Sequence, residues 1–492
     1  MEGNRSHVVV VGGGIAGLTA AWYLRQGGEH VRVTVLDGAG RIGGKLHASE
    51  VAGLPVDTGA EAMLVRRPEG KDLARAIGLG EELRHPGTAQ ASILTRGALR
   101  PMPKGQVMGV PSDLAALASS GVLTPGGLAR VPLDQILPAT LVTTDVSVAA
   151  YIRARMGGEV VDRLIEPILG GVYAGRAEAL SLDATMPRIA AVARSERSLL
   201  AAARKISEEA PKDAGPVFAT LRRGMGSLPE AVAAASGAEI RTGVTVREMH
   251  RTERGWRLVA GPVPAPEVIE ADAVVVAVPA TAAGRLLAGE VPKAAAELSR
   301  IEYASMAVVT LAYPRAAFPR LPDGSGYLVP PVEGRPVKAA TFSSVKWPHL
   351  AEADPDLIVL RCSIGRLGEE SLLQRDDAEL VALAMAETAE VAGVRGLPRD
   401  SRVTRWGGAL PQYNVGHLDR VARIRAAIAT QPGLAVCGAA YDGVGIPACI
   451  ATARTAAARI LDHLDPARQW QGRTETLSRG EDDGREPAAQ GA

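Results

Sequence analysis

The apolar positions of this chain fall first into a run and then into a stripe, and the change comes within the opening residues. Val8 to Val11 are four β-branched residues in succession, which predicts a strand buried on both faces of a parallel sheet. Gly12-Gly13-Gly14 breaks the run. Leu18, Ala21, Trp22 and Leu24 then recur at helical spacing. Val31 to Leu36 predicts a second strand that ends in Asp37, and Ala273 to Val278 and Leu434 to Gly438 predict returns to the same region. A helix follows from Ala448 to Leu464 with Ile450, Ala453, Ala457, Ile460 and Leu461 on its apolar stripe. Pro447 suits its first turn, where a missing N–H costs nothing.

Between these ends the rhythm changes repeatedly. The expected class is α/β, a Rossmann-like domain with a central parallel sheet, interrupted by a helical insertion and by a sheet-containing substrate domain. Residues 1–85, 216–290 and 396–465 are read as the three parts of the first domain. Residues 86–215 are rich in Ala and Leu, with breaks at Pro101, Pro111, Pro125 and Pro138, and read as the mainly helical insertion. Residues 291–395 carry candidate strands at Met306–Tyr313, Lys338–Ser343 and Leu357–Ile364, then a helix from Asp376 to Val391. Gly243–Met249 and Trp256–Val259 read as a hairpin about Arg254-Gly255. From 466 to 492 the composition turns to Arg, Glu, Asp, Gly and Gln, and a disordered tail is expected.

The first glycine turn has the G-x-G-x-x-G spacing of a dinucleotide site. Gly12 turns the chain, Gly14 admits a pyrophosphate, and Gly17 lets the helix lie close on the strand. Phosphates favour the helix N-terminus, where free N–H groups and the positive dipole end meet. Asp37 stands where a carboxylate accepts from a ribose hydroxyl. A second turn follows, Gly40-Arg41-Ile42-Gly43-Gly44-Lys45, and then Val56-Asp57-Thr58-Gly59-Ala60-Glu61-Ala62. An NAD unit has no use for these, whereas the longer FAD does. Arg41 and Lys45 are then expected near phosphate oxygens; a solvated basic turn is the other reading of these two side chains.

Charge excludes some partners. Lys and Arg number 55 against 54 Asp and Glu, so no field draws nucleic acid. Three cysteines are too few for a disulfide framework. The eight histidines lie apart and no metal site is expected. No apolar run approaches a membrane span, and an early core strand leaves no place for a signal peptide. A soluble, cytoplasmic protein is the expectation.

These motifs together resemble the flavoprotein superfamily of amine oxidases, phytoene desaturases and protoporphyrinogen oxidases. Met102-Pro103-Lys104-Gly105, Glu166 to Gly175, Leu221 to Pro229, Leu360 to Arg366, Pro411 to Leu418 and Gly443 to Ile450 narrow the likeness. They resemble the oxygen-dependent porphyrinogen oxidases, in particular the coproporphyrinogen III oxidase type of Gram-positive bacteria, over residues 7 to 465. The resemblance implies FAD-dependent, six-electron oxidation of coproporphyrinogen III in haem synthesis, with three O₂ reduced to three H₂O₂. It implies hydride transfer from a meso carbon to flavin N5, with no particular side chain marked as a base. Transient contact with other haem-synthesis enzymes would fit.

Carried over by position, the FAD contacts are Gly12, Gly13, Gly14, Ile15, Ala16, Gly17, Asp37, Arg41, Lys45, Gly59, Ala60, Glu61, Ala62, Val246, Trp406, Gly445, Ile446 and Pro447. Two departures stand out. Asp37 replaces the usual Glu, and Ala60-Glu61-Ala62 replaces a Pro-acid-Ser run, which removes a hydroxyl. A tetracarboxylate substrate calls for cations at the pocket rim, with Arg66, Arg67, Lys338 and Lys346 as candidates against ordinary solvated charges. Tyr173 is expected either against the macrocycle or in the core.

Three rivals remain. Protoporphyrinogen IX oxidation uses the same chemistry on a less acidic substrate. A flavin amine oxidase would want an aromatic cage, and only 3% of residues are aromatic. A binding protein that has lost its cofactor is opposed by the intact glycines and Asp37.

Overall fold

The computed structural model describes residues 5–140, 142–209 and 215–465; the expected tail lies outside them. The valine runs form the middle of a five-stranded parallel sheet, in the order Glu239–Thr242, Val31–Asp37, Ser6–Val11, Ala273–Val276, Leu434–Val436. Val8 and Val10 pair with Val33 and Val35, while Val9 and Val11 pair with Val274 and Val276. One face packs Val8, Val10, Val33 and Val35 with Leu18, Leu228, Ile450 and Ala453. Those partners come from the helices Ile15–Gln26, Ser227–Ser236 and Ile446–Leu464. The other face packs Val9, Val11, Val274 and Val276 with Trp256, Leu287, Leu298 and Ile424. Burial on both faces is why these strands are apolar without alternation.

The predicted hairpin forms as Val246–Arg251 and Trp256–Ala260, extended by Glu267–Ala271. The central insertion has its own apolar core, with Ile152, Val160, Leu164, Leu169, Leu182 and Leu200 wholly buried. One turn of π-helix, Val161–Ile165, leads into the helix Glu166–Tyr173.

The second sheet has seven strands, ordered Asp400–Pro411, Tyr303–Pro314, Leu357–Ile364, Val337–Thr341, Gly326–Leu328, Ser92–Thr95, Ala98–Pro101. Three of these strands come from segments expected elsewhere. Ser92–Thr95 and Ala98–Pro101 lie in the segment read as helical, and Asp400–Pro411 in the last part of the first domain. Asp400–Pro411 and Ala98–Pro101 are the two edge strands, which need little apolar surface and so lack the signal that marks the centre, while Ser92–Thr95, paired on both sides, is only four residues long. The helix Asp377–Ala392 covers one face of this sheet. Its capping box of Asp376 and Glu379 satisfies two backbone donors.

Candidate active site

The opening turn is set by contact. A Cβ on Gly17 would stand 1.8 Å from the Gly12 carbonyl oxygen, so the helix can seat on the strand only with glycine there. Gly14 is the opposite case: a Cβ on it meets nothing within 4 Å. No side chain caps the helix Ile15–Gln26, and its first turn holds no acid. Ile15 and Ala16 form that first turn. Asp37 accepts from Gly13 N–H at 2.6 Å and from Ala39 N–H at 2.7 Å. It therefore braces the turn with both oxygens and keeps lone pairs for a ribose hydroxyl. A Cβ on Gly13 would approach Asp37 to 2.9 Å, a requirement the motif spacing had not shown.

The second glycine loop lies alongside, with Gly43 N–H donating to Gly13 O at 2.8 Å. Arg41 donates to Ile42 O at 3.1 Å and Gly44 O at 2.9 Å, and lies over the Trp406 ring at 5.9 Å. Its fork thus buttresses its own loop. Lys45 lies 5.6 Å from the Tyr303 ring centre. Among the described residues it has no carboxylate within ion-pair distance, and burial lowers its pKa. Gly59 is pressed against Lys45: its Cβ would fall 2.0 Å from the Lys45 carbonyl. Ala60 N–H donates to that same carbonyl at 3.1 Å, and Trp406 Nε1 donates to Thr58 O at 2.9 Å. Val246 is buried on the strand that leaves Asp37's neighbourhood, two residues past Val244, whose N–H bonds Asp37 O at 2.9 Å.

The helix Ile446–Leu464 closes the site. Gly445 is its N-cap, with no capping side chain, no acid in the first turn and Pro447 within it. It packs in the same core as the opening helix, and a Cβ on Gly438 would touch Ala16 at 4.0 Å. Two uncapped helix N-termini, the half-buried Lys45 with no carboxylate beside it among the described residues, and an open backbone face at Gly14 thus lie on one body. This donor set suits a diphosphate and an electron-rich ring, and FAD fits it.

Glu61 carries a role that neither motif nor spacing disclosed. Its carboxylate meets Lys346 at 2.5 Å and Arg361 at 2.6 Å, and Arg361 also donates to Gly59 O at 2.5 Å. Burial alone would raise its pKa, but the two cations outweigh that and hold it at about 2. A signal existed: Arg361 sits inside the apolar strand Leu357–Ile364 and is only 9% exposed, and a cation there needs a partner. Asp57, two residues before Gly59, accepts from Met225 and Gly226 N–H at 2.7 and 2.8 Å. Burial pushes its pKa up to about 6.

The five substrate candidates separate. Lys346 is no free rim cation, because Glu61 neutralises it. Lys338 is no rim residue either: it stands at a bulge in its strand, 3% exposed, with Nζ unpartnered. Burial, aided by Arg366, brings its pKa down to about 7. Arg66 is exposed. Arg67 pairs with Glu69 at 3.2 Å and reaches within 3.7 Å of where a Gly443 Cβ would be, beside the closing helix. Tyr173 is buried with its ring 5.6 Å from Tyr413, and burial pushes its pKa up to about 12. Gly171 and Val172 beside it are exposed.

The description of the flavin containing amine oxidoreductase family matches residues 15–461. A relative from Bacillus subtilis (strain 168), named coproporphyrinogen III oxidase, is 32% identical over 481 residues, 94% of this chain and 100% of its own. One of the same name from Mycobacterium tuberculosis (strain H37Rv) is 38% identical over 464 residues, 93% of this chain and 97% of its own. A crystal structure from Exiguobacterium sp. 255-15, provisionally named protoporphyrinogen oxidase, superposes with TM-score 0.82 at 32% identity. It covers 93% of this chain and 98% of that one. The chain belongs to the flavin containing amine oxidoreductases and, within them, to the porphyrinogen oxidase group; it is an FAD-dependent oxidoreductase.

Proposed function

We propose that this flavoenzyme oxidises coproporphyrinogen III to coproporphyrin III in haem synthesis, with three O₂ reduced to three H₂O₂. The observation that carries the reading is likeness over 93–94% of the chain to the two coproporphyrinogen III oxidases, with the glycine turns and closing helix intact. Bound FAD supplies a two-electron acceptor that O₂ re-oxidises. The chain's own residues do the rest. The first turns of the two helices and Lys45 offer positive potential to phosphates and to a flavin ring that gains negative charge. Each helix end contributes about 0.3–1 kcal/mol, and up to about 2 kcal/mol where water is excluded.

Glu61, Lys346 and Arg361 lock the Gly59–Ala62 loop against the second sheet, so the loop that meets the cofactor does not drift. Orientation of this kind, rather than a strong base, is what hydride abstraction from a flexible macrocycle needs. Arg67, beside the closing helix, is the first candidate for a substrate carboxylate, with Arg66 next, since guanidinium forks match carboxylates. Lys338 would take part only if a propionate reaches the interior. The proposed setting is the cytoplasm, with transient contact to other enzymes of the pathway; among the described residues no helix is long and apolar enough to cross a membrane.

Protoporphyrinogen IX is the second reading, favoured by the name of the Exiguobacterium structure. Anaerobic addition of each porphyrinogen should bleach the yellow enzyme, and kcat/KM measured side by side should favour coproporphyrinogen by tenfold or more. Preference for protoporphyrinogen would overturn the substrate choice. Arg67→Ala should raise KM for the tetracarboxylate more than for the dicarboxylate.

A further inference from the structure

The last sheet strand, Leu434–Val436, does not run straight into the closing helix; residues 437–445 intervene. Gly438 N–H is tied to Thr452 Oγ1 at 3.0 Å. Beyond it, Ala439–Gly443 is held by two side chains from another part of the chain. The Tyr413 hydroxyl donates to Ala439 O at 2.6 Å and accepts from Gly443 N–H at 2.8 Å. One oxygen therefore fastens both ends of the segment. His417 Nε2 lies 3.0 Å from Tyr441 O; a carbonyl only accepts, so Nε2 carries the proton. The two rings stack at 3.8 Å and 13°, and Tyr413 is 1% and His417 0% exposed. Burial keeps the imidazole neutral, its pKa down to about 4, which agrees with a single donor.

Chain geometry explains the pairing. Pro411 ends an edge strand, and Gly416, with φ of 81°, turns the backbone so that His417 begins a helix. Gln412 anchors the segment from the other side, donating to Tyr173 O at 2.8 Å. Outside Arg425, which pairs with Asp442, no other side chain recorded among the described residues bonds Ala439–Gly443.

We propose that Tyr413 and His417 are positioning residues: together they clamp Ala439–Gly443, and through it set Gly445 and the first turn of the closing helix against the flavin. The clamp rests on the FAD reading of that helix and not on the choice of porphyrinogen.

Tyr413→Phe removes one oxygen and keeps the ring. The variant apoprotein should bind FAD about tenfold more weakly in fluorescence titration. Its flavin absorption bands should shift and its midpoint potential fall, with kcat reduced more than KM changes. His417→Gln retains a donor for Tyr441 O and should recover most of what His417→Leu loses. Unchanged FAD affinity, spectrum and potential in Tyr413→Phe, whatever its Tm, would overturn the clamp. Should Tyr413→Phe fail to fold, identical FAD affinity and spectra for His417→Gln and His417→Leu would overturn it instead. If the native enzyme binds FAD yet oxidises neither porphyrinogen, the substrate reading fails while the flavin measurements still decide the clamp.

Discussion

The helices Ile15–Gln26 and Ile446–Leu464 present the same uncapped N-terminus to the site but arrive there by opposite means. The opening turn is shaped inside its own strand–helix–strand unit, by Gly17 against Gly12 O and by Asp37 on Gly13 N–H. The closing turn has one tie to its own helix, Gly438 N–H on Thr452 Oγ1, and is otherwise held from outside, by Tyr413, His417 and Arg425. Local contacts make a motif self-sufficient; distant contacts make it conditional on the rest of the fold. The Gly59–Ala62 loop is of the second kind, because Arg361 reaches it from the second sheet and Lys346 from the short helix Ser343–Lys346.

The largest effect on flavin content should come from the self-sufficient side. Gly17→Ala places a methyl 1.8 Å from backbone, and no shift of a flexible side chain can relieve that. Overpacking costs about 1–3 kcal/mol in general and stands at the upper end against backbone, and no flavin should remain after gel filtration. A variant with native FAD content and denaturation midpoint would break the comparison at its root.

Next is the distant kind. Glu61→Gln leaves Lys346 and Arg361 buried without a counter-charge and should cost about 3–5 kcal/mol, read from urea unfolding. The acid dependence follows from sign. Glu61 titrates at about 2 when folded against its ordinary 4.5, so the unfolded chain binds the proton more readily. Its stabilisation is whole above pH 4.5 and is lost as pH falls towards 2. Stability measured against pH across that window should fall less steeply in Glu61→Gln; an unchanged slope would show that the triad does not hold the loop.

Gly14→Ala should be the mildest for the protein itself. Gly14 has φ of −73° and open space at its Cβ position, so the apoprotein should gain about 0.4–1 kcal/mol through a stiffer unfolded chain. FAD affinity should nonetheless fall tenfold or more. Equal loss of apoprotein stability in Gly14→Ala and Gly17→Ala would blur the distinction between a glycine needed by the fold and one needed by the ligand.

Legibility followed the same division. The buried valine strands, both helices at the site, and the strands Tyr303–Pro314 and Leu357–Ile364 are dominated by apolar runs or a helical apolar stripe, and each was readable to within a few residues. The strand Asp400–Pro411 was not, because Arg402, Arg405, Gly407 and Gly408 obscure its alternation, although it delivers Trp406 to Thr58. Lys338 and Lys346 read alike as surface cations. One lies unpartnered in the interior and the other is bound to a carboxylate distant in the chain, a difference that charge type cannot carry.

What the amino-acid order determined alone was chemistry enforced between near neighbours: a glycine turn, its bracing acid, and the two helix starts that favour an anion. Tertiary structure decided which charges are paired, which strands join the second sheet, and how the closing turn is held. Those outcomes depend on side chains hundreds of residues apart becoming neighbours, and burial, which fixes whether a charge needs a partner, exists only once the chain has folded.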